Sequence, residues 1–230
     1  MSEIKLKETT NVLPKIILHN SISLDGSYMN FEVNMGLHYQ IAGNYKPDAH
    51  LIGSNTMKVG LDMYSGKIPQ EELSDFEKQN KDKNLPYWII IDTKGCLRGL
   101  LHILRRFQLC KEVIILISEE TRTDYIKYLK ERKYDYYIGG KDCVDLERAI
   151  IFLKSEYNLK TILTDTGRKL GNILLNQGLV NEVSLLVHPV ILGEKSENLF
   201  RNVNSDIVLK KVKCQVLNYN YVWMAYKVIK

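Results

Sequence analysis

The segment LKTILTDTGRKLGNILLNQGLVNEVSLLVHPVILG, residues 159–193, decides the fold class of this chain. Its opening, LKTILT (159–164), is apolar and β-branched, the composition of a buried strand. KLGNILLNQG (169–178) carries apolar residues at helical spacing and closes on Gly178, a residue suited to the left-handed turn that ends helices. VNEVSLLVHPVILG (180–193) is β-rich again. Strand, helix and strand in so short a span predict a βαβ unit, and such units build parallel sheets.

The same alternation extends in both directions. PKIILHNSIS (14–23) is a β-rich run that stops at the turn Leu24-Asp25-Gly26, and MGLHYQIAGNY (35–45) has helical period. AHLIG (49–53) reads as a buried strand, and SNTMKVGLDMY (54–64) as a helix that Ser54 or Asn55 can cap. Residues 65–86 are polar and charged, a solvated loop or short helix. YWIIID (87–92) and EVIILIS (112–118) are strands, TRTDYIKYLKERK (121–133) and DLERAIIFLKSEY (145–157) amphipathic helices. The tail, 213–230, reads as a hairpin turning at NYN (218–220). The whole predicts a single α/β domain over 1–230, a mostly parallel central sheet with helices on both faces and a C-terminal antiparallel hairpin at one edge.

Composition narrows the function classes. With 45% hydrophobic residues in 230 there is ample material for a core, yet no apolar run approaches the roughly 18 residues of a membrane span. The N-terminus carries no apolar block before Pro14, which predicts a cytoplasmic protein without a secretory signal. Four cysteines lie far apart with no CxxC, so reduced, mostly buried thiols are expected. The net charge of +5 is spread along the chain, which suits a small anionic ligand and lacks the basic stripe that nucleic acid requires. His19, His38, His50, His102 and His188 show no metal-ligand spacing and read as core or surface histidines. His38 stands out because its segment follows the first loaded loop.

In open α/β sheets, ligands bind where strands end at their carboxyl side and helices begin. Three such junctions carry chemistry: SISLDG (21–26), LIGSNT (51–56) and LTDTGRKLG (163–171). Helix N-termini offer unpaired N–H groups and partial positive charge, so phosphate is their natural occupant. Gly53 and Gly167 permit close approach, Thr166 can hydrogen-bond an anion, and Arg168 and Lys169 add charge. Neither glycine site matches GxGxxG or GxxxxGK[ST], which argues against ordinary Rossmann and P-loop sites.

Taken together, SISLDG (21–26), PDAHLIGSNT (47–56) and ILTDTGRKLGNILLNQGLVNEVSLLVHPVILG (162–193) resemble the reductase family of riboflavin biosynthesis, the C-terminal reductase domain of bifunctional deaminase-reductases and its stand-alone relatives. The resemblance implies a dihydrofolate-reductase-like fold, NADPH as hydride donor and a homodimer. Carried over, it implies cofactor contacts at Ser21, Gly53, Ser54, Thr56, Thr166, Gly167, Arg168, Lys169 and Leu170. It places Asp165 near the substrate as the catalytic candidate, with Asp25, at the cleft edge, second; Asp25 reads equally as a turn acid bound to its own backbone. The implied reaction reduces a ribosylaminopyrimidine 5′-phosphate to the ribitylamino form.

The departures fall on the substrate side. The family's E-G-G is Asp165-Thr166-Gly167 here, and TMKVGLDMY (56–64) has Gly60 and Leu61 where acids are usual. The arginine normally downstream is missing, and YMNFEVNMGLHYQ (28–40) lacks the usual Ser-x-Trp. These differences keep open a reductase of another pteridine-like, folate or imine substrate, and a nucleotide-binding homologue without catalysis.

Overall fold

The structure, a computed structural model, describes residues 13–63 and 68–229. Residues 1–12, on which the expected lack of a leader rests, and residues 64–67 lie outside the described residues. Strands β1 (Lys15–Ser23), β2 (Ala49–Gly53), β3 (Tyr87–Ile91), β4 (Val113–Ile117), β5 (Asp135–Ile138), β6 (Thr161–Thr164), β7 (Glu182–His188), β8 (Leu209–Val216) and β9 (Val222–Val228) form one sheet in the order β5-β4-β3-β2-β6-β1-β7-β9-β8. The run from β5 to β7 is parallel throughout, and β9 and β8 add antiparallel strands at the edge. The expected mostly parallel sheet and terminal hairpin are both present. Tyr219 and Asn220, at φ 60° and 65°, make the hairpin turn at NYN.

Helices α1 (Met35–Asn44), α2 (Ser54–Met63), α3 (Leu101–Arg106), α4 (Thr123–Glu131), α5 (Leu146–Tyr157) and α6 (Arg168–Asn176) cross over between strands. Neighbouring residues in the central strands feed opposite faces of the sheet, as the two-residue period of a strand requires. Ile89 and Ile114 join one core with Leu18, Ile162, Leu153 and Leu174, while Ile90 and Ile115 join a second with Leu104, Tyr125 and Leu129. Each such side chain, fully buried, stabilises the fold by about 1.5–3 kcal/mol. At Gly171 a Cβ would stand 3.2 Å from Leu18 Cδ1, so glycine lets α6 pack tightly on β1.

Some expectations need correction. The run predicted as strand over 180–193 ends at His188, because Pro189 has no N–H to pair and the Asp25 carboxylate takes the amides of Leu192 and Gly193. The segment expected to be a solvated loop or short helix does hold a short 3₁₀ turn, Leu73–Phe76, but it is not wholly solvated: Asp75 is 1% exposed and bound by Arg106 at 2.5 Å. Of the cysteines, all thiols, Cys110 alone is buried, Cys96 is half-buried, and Cys143 and Cys214 are exposed. Among the described residues no helix is long and apolar enough to cross a membrane.

Candidate functional site

The sheet order decides which loops meet. β6 inserts between β2 and β1, so the carboxyl ends of the three strands carrying the loaded junctions lie side by side. α2 begins directly after Gly53, and α6 begins directly after Gly167. Thr166, 2% exposed, joins the two bends: its Oγ1 accepts from the Gly53 N–H at 3.4 Å and lies 3.3 Å from Thr56 Oγ1. A Cβ on Gly53 would stand 3.4 Å from that hydroxyl, in ordinary van der Waals contact. No side chain caps the first amides of α6. Two helix N-termini lie together here, one of them uncapped, and such a cradle fits the phosphates of a dinucleotide.

The other expected cofactor residues differ in what they offer. Arg168, at the first position of α6, pairs with Glu197 at 3.0 Å and lies 6.0 Å from the Tyr28 ring. Lys169 is exposed, whereas Leu170 turns its side chain into the core and leaves only its backbone for a ligand. Ser54 is half-buried at the start of α2 and Thr56 is exposed. Ser21, 6% exposed, has its hydroxyl 3.0 Å from His38 Nδ1.

Asp165 stands at the centre of a ring of imidazoles. His38 Nε2 lies 3.8 Å from its Oδ2, and His50 and His19 lie near enough to act on it electrostatically. Burial alone would raise the Asp165 carboxyl; the His38 contact and the three imidazoles outweigh it and hold the group below the usual carboxylate range. Asp165 is therefore ionised at neutral pH, an acceptor able to orient a substrate's N–H or O–H groups. Asp25 is engaged differently. Its carboxylate accepts the Ser23 hydroxyl at 2.6 Å and the Gly193 amide at 3.0 Å, contacts that hold it below the usual range and clamp the 189–193 loop.

Two neutral histidines moor α1 against this cleft. The Ser184 hydroxyl accepts from Trp223 Nε1 at 3.0 Å and lies 3.0 Å from His19 Nδ1, which also lies 3.2 Å from the Ser184 carbonyl, while His19 Nε2 lies 3.2 Å from the His38 carbonyl. Burial, and then the neighbouring His38, lower His19 to about 4. His188 Nε2 accepts the Asn34 amide at 3.1 Å, and burial lowers this histidine as well. Asn34 caps α1 through its own side chain. Sequence reasoning treated these histidines one by one and missed their convergence. The available signal was His19-x-Ser21-x-Ser23, polar residues on one face of a strand otherwise made for burial.

A family described as the RibD C-terminal domain matches residues 14–223. The riboflavin biosynthesis protein RibD of Chlamydia muridarum is 21% identical over 201 residues, 83% of this chain and 50% of that protein, so the chain spans about half the length of this curated relative. A pyrimidine reductase-like protein of Corynebacterium diphtheriae shares the fold at a TM-score of 0.70, 16% identity and coverage of 94% of this chain and 92% of the other. The riboflavin biosynthesis reductase of Saccharomyces cerevisiae does so at 0.66 and 22%, covering 97% and 93%. With the family match running almost from end to end, this chain belongs to the RibD C-terminal domain family.

Proposed function

We propose that this protein is a nicotinamide-dependent reductase, drawing on NADPH, that converts a ribosylaminopyrimidine 5′-phosphate into its ribitylamino form. The observation that carries this reading is the abutment of the Gly53 and Gly167 bends beside the ionised Asp165. Membership in the family supports the same conclusion, as does the shared fold with a pyrimidine reductase-like protein and a riboflavin biosynthesis reductase. A homodimer in the cytoplasm is the setting that the family resemblance implies.

The amides opening α2 and α6 would hold the pyrophosphate, with Thr56, Thr166 and Lys169 as hydrogen-bonding and charged neighbours. Arg168 supports NADPH as the donor, since a guanidinium suits a phosphate monoester, and Glu197 already fixes its orientation. A reduced nicotinamide bound there supplies the hydride. The protein's own contribution is to hold the open-chain imine of the substrate against that ring, exclude water and govern one proton. Asp165 orients the reacting nitrogen through its carboxylate.

The test is turnover. Purified protein mixed with NADPH and the ribosylaminopyrimidine phosphate should consume reduced-nicotinamide absorbance and release the ribitylamine, with no comparable rate on dihydrofolate. Stoichiometric NADPH binding without oxidation in the presence of that pyrimidine would overturn the assignment.

A further inference from the structure

His38 is a buried imidazole, 6% exposed, placed between two polar partners on the site side of α1. Its Nε2 faces Asp165 Oδ2 at 3.8 Å, its Nδ1 faces the Ser21 hydroxyl at 3.0 Å, and its ring lies on that of His19 with centroids 4.4 Å apart. The groups around it come from every adjacent element: His19 and Ser21 on β1, Tyr39 on α1, His50 on β2, His188 on β7 and Asp165 after β6. Of the three imidazoles around Asp165, His38 is the one at ion-pair distance. His19 has hydrogen-bond partners at both nitrogens.

Ser21 makes His38 able to change charge without losing a hydrogen bond. When the ring is neutral with its proton on Nε2, Nδ1 accepts from the serine hydroxyl; when the ring is charged, Nδ1–H donates to the same oxygen. A backbone carbonyl or amide in that place would serve only one of the two states. Nε2 faces Asp165 Oδ2 in both.

We propose that His38 is a positioning and relay residue that holds Asp165 in register in the cleft and passes it the proton consumed in imine reduction. This rests on the reductase reading above. The substrate's C=N carbon takes a hydride from the reduced nicotinamide, which leaves oxidised. The proton starts on His38: its Nε2–H bond breaks to protonate the resting Asp165 carboxylate, and the Asp165 O–H bond then breaks to protonate the substrate nitrogen. Asp165 returns to its ionised state and solvent reprotonates His38, so one hydride and one proton are consumed for each amine formed.

His38→Gln and His38→Ala test this in the full-length protein. Gln keeps an N–H donor for Asp165 and cannot carry a proton, so kcat should fall about 100-fold in His38→Gln and further in His38→Ala, with substrate KM and NADPH affinity retained. Carbon-13 NMR of labelled aspartate reads the pair without turnover: the Asp165 titration should move up in His38→Gln, since the His38 contact is what holds the carboxyl down. An unchanged kcat in His38→Gln, or an unmoved Asp165 titration, overturns the proposal. Absence of turnover in the wild type defeats the reductase reading and the relay together, and the Asp165 titration then reports on the pairing alone.

Discussion

Arg168 shows how much a single residue in this site depends on its neighbours. Its guanidinium is held by Glu197 at 3.0 Å, half-exposed at the uncapped start of α6, and so is oriented before any ligand arrives. If it receives the 2′-phosphate, Arg168→Ala should weaken NADPH binding by about tenfold, roughly 1.4 kcal/mol, and leave NADH nearly unaffected. A fluorescence titration of both nucleotides measures this, and equal losses would remove Arg168 from that role. The place of Gly53, Gly167 and Arg168 at strand–helix junctions was legible in the sequence, because glycine followed by polar residues after a β-rich run marks such a junction. Glu197 was not, since it lies 29 residues downstream of Arg168 and only the packed loop brings it near. The imidazole ring around Asp165 was hidden for the same reason, its members coming from β1, α1 and β2.

At the scale of the element, α1 is the segment whose position depends most on protonation. It is a ten-residue helix moored to β1 through His19 and, at its cap, to β7 through His188. His19 is lowered to about 4 in the folded protein against roughly 6.5 unfolded, so the unfolded chain binds a proton that the folded chain refuses. The stability that neutral His19 contributes is thus complete above about pH 6.5 and is lost as pH falls from there toward 4. Between pH 7 and pH 5 this one group should cost about 2 kcal/mol, read as a lowered urea midpoint. In His19→Gln, which keeps a donor for the His38 carbonyl, the drop should shrink by that amount; an identical drop in both proteins would show that His19 does not carry it. Most elements were legible from local pattern: β2 ends on the predicted Gly53, and α5 is capped by Asp145 through the Arg148 amide. The end of β7 was not, because what stops it is a carboxylate from the β1 turn rather than any feature of its own composition beyond Pro189.

The molecule as a whole makes its site by strand order. Alternating strands and helices foretold a parallel sheet with two faces, and the two cores confirm that layering. Local pattern has no means of showing that β6, late in the chain, would pair with both β1 and β2. That insertion brings Ser21, Gly53 and Asp165 to one crevice, where strand ends of an open α/β sheet bind ligands. The C-terminal hairpin contributes indirectly: Trp223 on β9 fixes Ser184, Ser184 fixes His19, and His19 holds α1. A crystal structure of the protein with bound NADP tests the account most directly. The nucleotide's phosphates should sit on the amides that open α2 and α6, with the nicotinamide ring beside Asp165 and His38. Phosphates bound away from Gly53 and Gly167, or a nicotinamide on a different edge of the sheet, would contradict it.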